Sequence, residues 1–187
     1  MRKLVVFNAV TLDGYFTGEN GDISWAHTNP EDAEWNDFVA GNASGDGLLL
    51  FGRITYELMV SYWPTPLAAE NDPVVAERIN NLAKIVFSRT LDEVSWQNTG
   101  LVKSNLVTEV QKLKNESGSD MTILGSGTIV SQLAAAGLID EYQIVVAPIV
   151  LGRGRTMFAG LPGKLPLKLA ESRTFTNGNV FLRYKPG

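Results

Sequence analysis

The sequence predicts an α/β fold with three layers, in which helices cover both faces of a mostly parallel central sheet and antiparallel strands form one edge. Over the first three quarters of the 187 residues, short apolar runs alternate with amphipathic segments, which implies parallel strands joined by helical crossovers. From Glu141 onward only strand-like segments follow, and the Asn177-Gly178 pair predicts a hairpin. No linker or internal repeat divides the sequence, so we expect a single domain over residues 1–187.

Apolar periodicity justifies each predicted element. Buried strands are continuous apolar runs, such as GLLLF at 47–51, whereas Trp35, Phe38 and Val39 recur at the spacing of one helix face. The predicted elements are strands at 3–10, 47–51, 84–87, 121–124, 142–151 and 165–172, helices at 30–43, 53–61, 73–82, 104–115 and 128–136, and a hairpin at 174–185.

Local signals mark the ends of several elements. Pro73 suits the first turn of its helix, Ser104 is placed to cap the helix after it, and Gly137 suits the position just past a helix end. Residues 11–29 are polar and contain several glycines, so they predict a long loop. Loops of that length in compact domains are usually functional.

The residue counts exclude several kinds of chemistry. The chain has no cysteine, which rules out disulfides, iron–sulfur clusters, thiolate zinc sites and a cysteine nucleophile. Its single histidine, His27, argues against a multi-histidine metal site and against a Ser-His-Asp triad. We therefore expect no metal.

Charge and hydropathy narrow the choice of partners. Sixteen lysines and arginines against twenty acidic residues give a net charge of −4, which argues against nucleic acid as a partner. No apolar run approaches the roughly 20 residues of a membrane span, and the apolar start of the chain is too short for a secretion signal. We expect a cytoplasmic protein that binds a small molecule and no membrane.

Glycine, hydroxyl and arginine side chains follow three predicted strands. The junctions read FGRIT at 51–55, LGSGT at 124–128 and VFSR at 86–89. Ligands of open α/β sheets bind beyond the carboxyl ends of strands, and helix N-termini there offer free amides to anions. Each junction can also be an ordinary glycine turn, and none matches the six-residue dinucleotide fingerprint. Together with Arg53 and Arg89, they favour an anionic ligand with two phosphate regions.

Five motifs in this order resemble those of dihydrofolate reductases. They are Ala9-Val10, NGDISW at 20–25, FGRITY at 51–56, VFSR at 86–89 and ILGSG at 123–127. The tail, with LIDEY at 138–142 and PIVLGRG at 148–154, and the early TLDG at 11–14 are more similar to a related domain. That relative is the C-terminal reductase domain of bacterial riboflavin-biosynthesis deaminase/reductases. The resemblance implies a dihydrofolate reductase-like fold over nearly the whole chain.

The resemblance also implies NADPH as cofactor. In the family, the backbone at the Ala9 position contacts the nicotinamide carboxamide, and the Ser88 and Arg89 positions reach the adenosine 2′-phosphate. The positions implied to bind the other cofactor phosphates are Gly52, Arg53 and Thr55 at one junction and Gly125, Ser126, Gly127, Thr128 and Ile129 at the other.

The proton donor stays open between three carboxylates. The resemblance points to Glu31 or Asp32, where dihydrofolate reductases place the carboxylate that grips the pteridine. Both residues equally fit the first turn of a helix, where the macrodipole favours acids. Asp13 is the third candidate, and its Asp-Gly pair also fits a turn.

Aromatic residues are the candidates for the substrate pocket. We expect Trp25 and Tyr56 to line it, although each also fits ordinary packing. His27 is either a substrate contact or an exposed loop histidine, and Arg153 and Arg155 either bind a substrate phosphate or lie in a charged turn.

The expected activity is hydride transfer from NADPH to a pterin-like or pyrimidine-like heterocycle. It resembles the reactions of dihydrofolate reductase and of 5-amino-6-(5-phosphoribosylamino)uracil reductase. The alternatives are a non-catalytic NADP-binding protein and a dimerisation module of the same fold. Because related domains pair and the tail strands offer an edge, we expect a homodimer.

Overall fold

The computed structural model of the protein describes residues 1–26, 32–42 and 46–187. The strands are β1 (Leu4–Thr11), β2 (Tyr15–Thr17), β3 (Leu48–Gly52), β4 (Ala83–Phe87), β5 (Thr99–Val102), β6 (Met121–Leu124), β7 (Glu141–Ala147), β8 (Arg155–Thr156), β9 (Leu167–Thr174) and β10 (Val180–Pro186). The helices are α1 (Ala33–Asn42), α2 (Arg53–Tyr62), α3 (Pro66–Asn71), α4 (Pro73–Asn81), α5 (Leu106–Asn115) and α6 (Gly127–Ala135), with 3-10 turns at Glu19–Gly21 and Ser24–Ala26.

One eight-stranded sheet, in the order β5-β4-β3-β6-β1-β7-β10-β9, forms the centre of the molecule. All neighbours from β5 to β7 are parallel, and β10 is antiparallel to both β7 and β9. This arrangement confirms the predicted fold class, including the antiparallel edge and the hairpin around Asn177-Gly178.

Helices cover both faces of this sheet because successive strand residues point to opposite sides. Leu50 of β3 packs in one cluster with Val110 of α5 and Leu133 of α6. The next residue, Phe51, packs in a second cluster with Tyr56 of α2. Both β3 residues have no exposed surface, which explains why this strand reads as a continuous apolar run.

Several predicted boundaries and one predicted cap differ from the structure. The strand predicted at 142–151 ends at Ala147, because Pro148 has no amide hydrogen for the ladder. Ser104 does not cap α5; the side chain of Asn105 accepts the Thr108 amide at 3.1 Å instead. Gly137 does end α6, with φ of +66° as expected.

The predicted long loop contains a strand. Residues 15–17 form β2, which pairs with the distant β8, and we call this two-stranded unit the β2–β8 ribbon. The prediction also missed α3 and the short strand β5. Within the described residues, no helix has the length and apolar character required to cross a membrane.

Strand β4 carries a buried lysine. Lys84 is 1% exposed, and its ammonium donates to the backbone carbonyl oxygens of Asn80 (3.0 Å), Leu82 (2.6 Å) and Gln97 (3.3 Å). It also lies 4.6 Å from the centre of the Trp96 ring. Burial lowers the pKa of Lys84 from 10.5 to about 8.

We expect stability to rise with pH above 8 relative to a Lys84→Met variant. Between the folded pKa of about 8 and the unfolded value of 10.5, the unfolded chain still holds a proton that the folded chain has released. The wild type should therefore gain up to about 3 kcal/mol on the variant across this window. Urea unfolding of both proteins at a series of pH values measures the difference.

Other titrating groups cancel in that comparison. Burial raises the pKa of Tyr142 to about 12, which opposes folding at high pH in both proteins alike. Parallel pH profiles for the wild type and Lys84→Met would show that the lysine does not titrate in this window.

Candidate active site

The three glycine and arginine junctions lie at one edge of the sheet, on the adjacent strands β4, β3 and β6. Gly52 of β3 pairs with Phe87 of β4, just before Ser88. On its other side β3 is parallel to β6, which ends at Leu124 before the second glycine turn. The fold thus brings together residues that are far apart in the sequence.

The β3–α2 junction presents a helix N-terminus without a side-chain cap. Gly52 is the N-cap residue in extended conformation, and α2 begins at Arg53. The Arg53 guanidinium bonds both carboxylate oxygens of Glu57 at 3.1 Å, and both side chains are nearly half exposed. Part of the Arg53 charge is therefore already balanced within the helix.

The β6–α6 junction is a tight turn with two left-handed residues. Gly125 and Ser126 have φ of +59° and +57°, and α6 begins at Gly127 without a side-chain cap. A Cβ on Gly127 would lie 2.7 Å from Cζ of Phe16 in the β2–β8 ribbon. Thr128 is exposed at the helix start, whereas Ile129 is 5% exposed and belongs to the core.

Hydrogen bonds connect these two junctions directly. The Ser126 amide and hydroxyl both donate to Oγ1 of Thr55 at 3.0 Å, and the Gly52 amide donates to Oγ of Ser126 at 2.9 Å. The Thr55 and Ser126 side chains therefore contact each other, a relation that the local sequence did not predict.

The third junction separates a fixed hydroxyl from an available cation. The Ser88 hydroxyl oxygen accepts the amides of Thr90 (3.2 Å) and Leu91 (3.0 Å), which holds the loop after β4. Arg89 is exposed and makes no ion pair with a described residue. Its guanidinium is thus available to a ligand at this edge.

Strand β1 contributes Ala9 and a polar residue that the sequence prediction missed. Ala9 pairs with Val145 of β7 in the middle of the sheet. Asn8 is 6% exposed and donates to the carbonyl oxygen of Gly125 at 3.0 Å and to Sδ of Met157 at 3.0 Å. A polar side chain inside an apolar strand was the sequence signal for this role.

Asp13 has a set of hydrogen bonds that ties β1 to the loop after β7. Its carboxylate accepts the Thr11 hydroxyl (2.6 Å) and the amides of Gly152 (2.7 Å) and Leu151 (3.3 Å). The Thr11 hydroxyl, followed by these amides, lowers the pKa of Asp13 below its usual 3.8. This environment suits an ionised turn residue better than a proton donor.

Asp32 lies at the start of α1, and its carboxylate accepts the Trp35 amide at 3.0 Å. That bond is the one expected of an N-cap residue, so it favours the helix-start interpretation. Glu31 and His27 lie outside the described residues.

The two aromatic candidates occupy different environments. Tyr56 is 4% exposed, and its hydroxyl accepts the amides of Ser95 (2.8 Å) and Trp96 (3.3 Å), which favours packing over a substrate contact. Trp25 lies in the second 3-10 turn, and its indole nitrogen is buried without a hydrogen-bond partner among the described residues.

A polar cavity of about 620 Å³ borders the β2–β8 ribbon. Arg153 lies 4.0 Å from Glu19 across it, and both side chains are largely exposed. The lining residues are Tyr15, Gly18, Glu19, Asn20, Gly152, Arg153, Gly154 and Arg155. The arginines are therefore cavity residues as well as members of a charged turn.

The sheet order and the junctions at its edge define a dihydrofolate reductase-like protein. Dihydrofolate reductase from Enterococcus faecalis, in complex with NADP(H) and RAB-propyl, aligns with a TM-score of 0.68 at 16% identity, covering 99% of this chain and 96% of that one. Within this class, the chain belongs to the RibD C-terminal domain family, whose model matches residues 2–181.

Individual relatives agree with this membership. YyaP of Bacillus subtilis (strain 168) is 31% identical over 183 residues, which span 98% of this chain and 94% of YyaP. The crystal structure of a putative riboflavin biosynthesis protein from Shewanella sp. PV-4 is 25% identical, with a TM-score of 0.76 and 99% coverage of both chains.

Proposed function

We propose that this protein is an NADPH-dependent reductase that transfers a hydride to a pterin-like or pyrimidine-like heterocycle. The observation that carries the proposal is the convergence of three strand-end junctions at one sheet edge. Two of them begin helices whose N-termini have no side-chain cap, and the third presents Arg89. Membership of the RibD C-terminal domain family supports a reductase.

In this proposal each junction binds a different part of the cofactor. The amides at the starts of α2 and α6 bind the pyrophosphate, with Gly52, Arg53, Gly127 and Thr128 at its surface. Arg89 binds the adenosine 2′-phosphate, and the backbone near Ala9 faces the nicotinamide carboxamide. NADPH supplies the hydride, and the protein supplies position and electrostatics.

The substrate must also gain a proton. A hydride added to the carbon of a C=N or C=O bond leaves the electron pair on nitrogen or oxygen, which takes a proton from a side chain or water. The lowered pKa of Asp13 leaves Glu31 and Asp32 as the side-chain candidates. We place Trp25 beside the substrate, because its turn precedes these carboxylates in the chain.

We further propose that the chain acts in the cytoplasm as a single-domain homodimer. Strand β9 forms an edge of the large sheet, and all but one of its residues are exposed. An exposed edge strand can pair with the same strand of a second copy. Light scattering at micromolar concentration should give twice the mass of one chain, and a monomer would contradict the dimer.

A screen of NADPH oxidation tests the activity. The full chain is assayed with dihydrofolate, other pterins and the ribosylaminouracil, beside Glu31→Gln, Asp32→Asn and, as a matched control, Glu70→Gln on the exposed surface of α3. We expect turnover of at least one heterocycle, a lower kcat in one site variant and no change in the control. Tight NADPH binding without turnover would favour the non-catalytic alternative, and no binding would favour the dimerisation module.

A further inference from the structure

We propose that Thr55 and Ser126 act as one positioning unit that fixes the N-termini of α2 and α6 relative to each other, so that both bind the same anionic group of the cofactor. The inference rests on the proposed function, because it takes NADPH as the ligand. It gives the two hydroxyls a different part from direct phosphate binding, since they bond each other across the junctions.

Three hydrogen bonds form the unit. Two run from Ser126, whose amide and hydroxyl donate to Oγ1 of Thr55 at 3.0 Å, and one runs from the Gly52 amide to Oγ of Ser126 at 2.9 Å. The Ser126 hydroxyl also lies 3.1 Å from the carbonyl oxygen of Leu124, so its single proton is shared between two acceptors. Ser126 is 8% exposed, which places this network beneath the surface.

The orientation of Ser126 is unusual for its position. A serine at the N-cap ordinarily accepts an amide from its own helix. Ser126 makes no such cap on α6, and its oxygen accepts the N-cap amide of α2 instead. The α6 amides that this serine would normally satisfy are therefore left for a ligand, while the serine holds the neighbouring helix.

The backbone of the turn is adapted to this contact. Gly125, at φ of +59°, allows Thr55 to approach within 3.0 Å of the place where a Cβ would lie. Ser126 itself has φ of +57°, a left-handed conformation that a non-glycine residue keeps only where its surroundings enforce it. The bonds to Thr55 and Gly52 supply that enforcement.

Positioning of this kind affects affinity without contact to the ligand. Two helix N-termini attract one anion most strongly when their amides point at the same place, and the helix-terminus effect fades within a turn. Loss of the crossing bonds would let the two termini separate. The Thr55 and Ser126 substitutions should then weaken binding by the same route.

The test is a double-mutant cycle on the full chain, with NADPH titrated by calorimetry. The variants are Thr55→Val, Ser126→Ala and their combination, with Thr55→Ser as the conservative variant. Ser61→Ala is the matched control, because the Ser61 hydroxyl bonds only the Leu58 carbonyl within α2. We expect each single variant to raise the Kd about tenfold and the double variant to raise it no further than about tenfold. Thr55→Ser and Ser61→Ala should bind like the wild type.

Three results would overturn the inference. A double variant weakened about a hundredfold would mean that the hydroxyls act independently, and the proposed function would stand. An unchanged Kd in Thr55→Val, or equal weakening in Thr55→Ser and Thr55→Val, would also remove the positioning role; this comparison suffices if Ser126→Ala does not fold. A wild type that binds no NADPH would overturn the proposed function and the inference with it.

Discussion

Replacement of Arg89 by alanine is expected to weaken NADPH binding by about 10- to 100-fold and to leave NADH binding nearly unchanged. NADPH differs from NADH by the 2′-phosphate, which requires a positive partner. Arg89 is exposed at the end of β4 without an ion pair among the described residues, whereas Arg53 is paired with Glu57. Removal of the unpaired arginine should therefore act on the 2′-phosphate selectively. Titration of both cofactors with the wild type and variant measures the ratio of affinities.

Two further variants separate recognition from general electrostatics. Arg89→Lys retains the charge without the planar pair of donors, so its NADPH affinity should lie between those of the wild type and the alanine variant. Lys168→Ala removes the same charge from exposed β9, on the other side of the sheet, and should change neither affinity. Equal weakening of NADPH and NADH by Arg89→Ala would contradict the assignment to the 2′-phosphate.

The sequence predicted the sheet and its functional edge because both depend on local patterns. Strand β3 is buried on both faces, so its residues form a continuous apolar run. Parallel strands joined by helices must align their carboxyl ends, which brought Gly52, Arg89 and Gly125 to one edge before any coordinates were considered. These inferences required only residue type and order.

The rest depends on contacts between distant residues. The β2–β8 ribbon pairs Tyr15 with Thr156, and neither short segment has an apolar pattern of its own. The hydroxyl of Tyr56 is satisfied by amides about 40 positions later, which the local helix pattern does not reveal. Likewise, Ser126 satisfies the Gly52 amide instead of its own helix. The sequence marks such residues as polar or aromatic but does not identify their partners.

Gly127→Ala is the second substitution with a large expected effect, because it adds one methyl group where the ribbon meets α6. The new Cβ would lie 2.7 Å from Cζ and 2.8 Å from Cε1 of Phe16. Phe16 packs against the main core cluster, and its strand is paired with β8. The ring can therefore withdraw only if the ribbon or the start of α6 moves. Overpacking of this kind costs about 1–3 kcal/mol of the free energy of unfolding.

The same displacement should weaken NADPH binding by at least about tenfold, because the first amides of α6 move with it. Urea unfolding and NADPH titration of Gly127→Ala measure the two effects. Gly41→Ala is the matched control, since a Cβ there meets no atom within 4 Å and alanine favours the helix. Addition of Phe16→Leu to Gly127→Ala shortens the opposing side chain and should recover part of both losses. Normal stability and affinity in Gly127→Ala would mean that Phe16 yields freely and that the ribbon does not hold the α6 terminus in place.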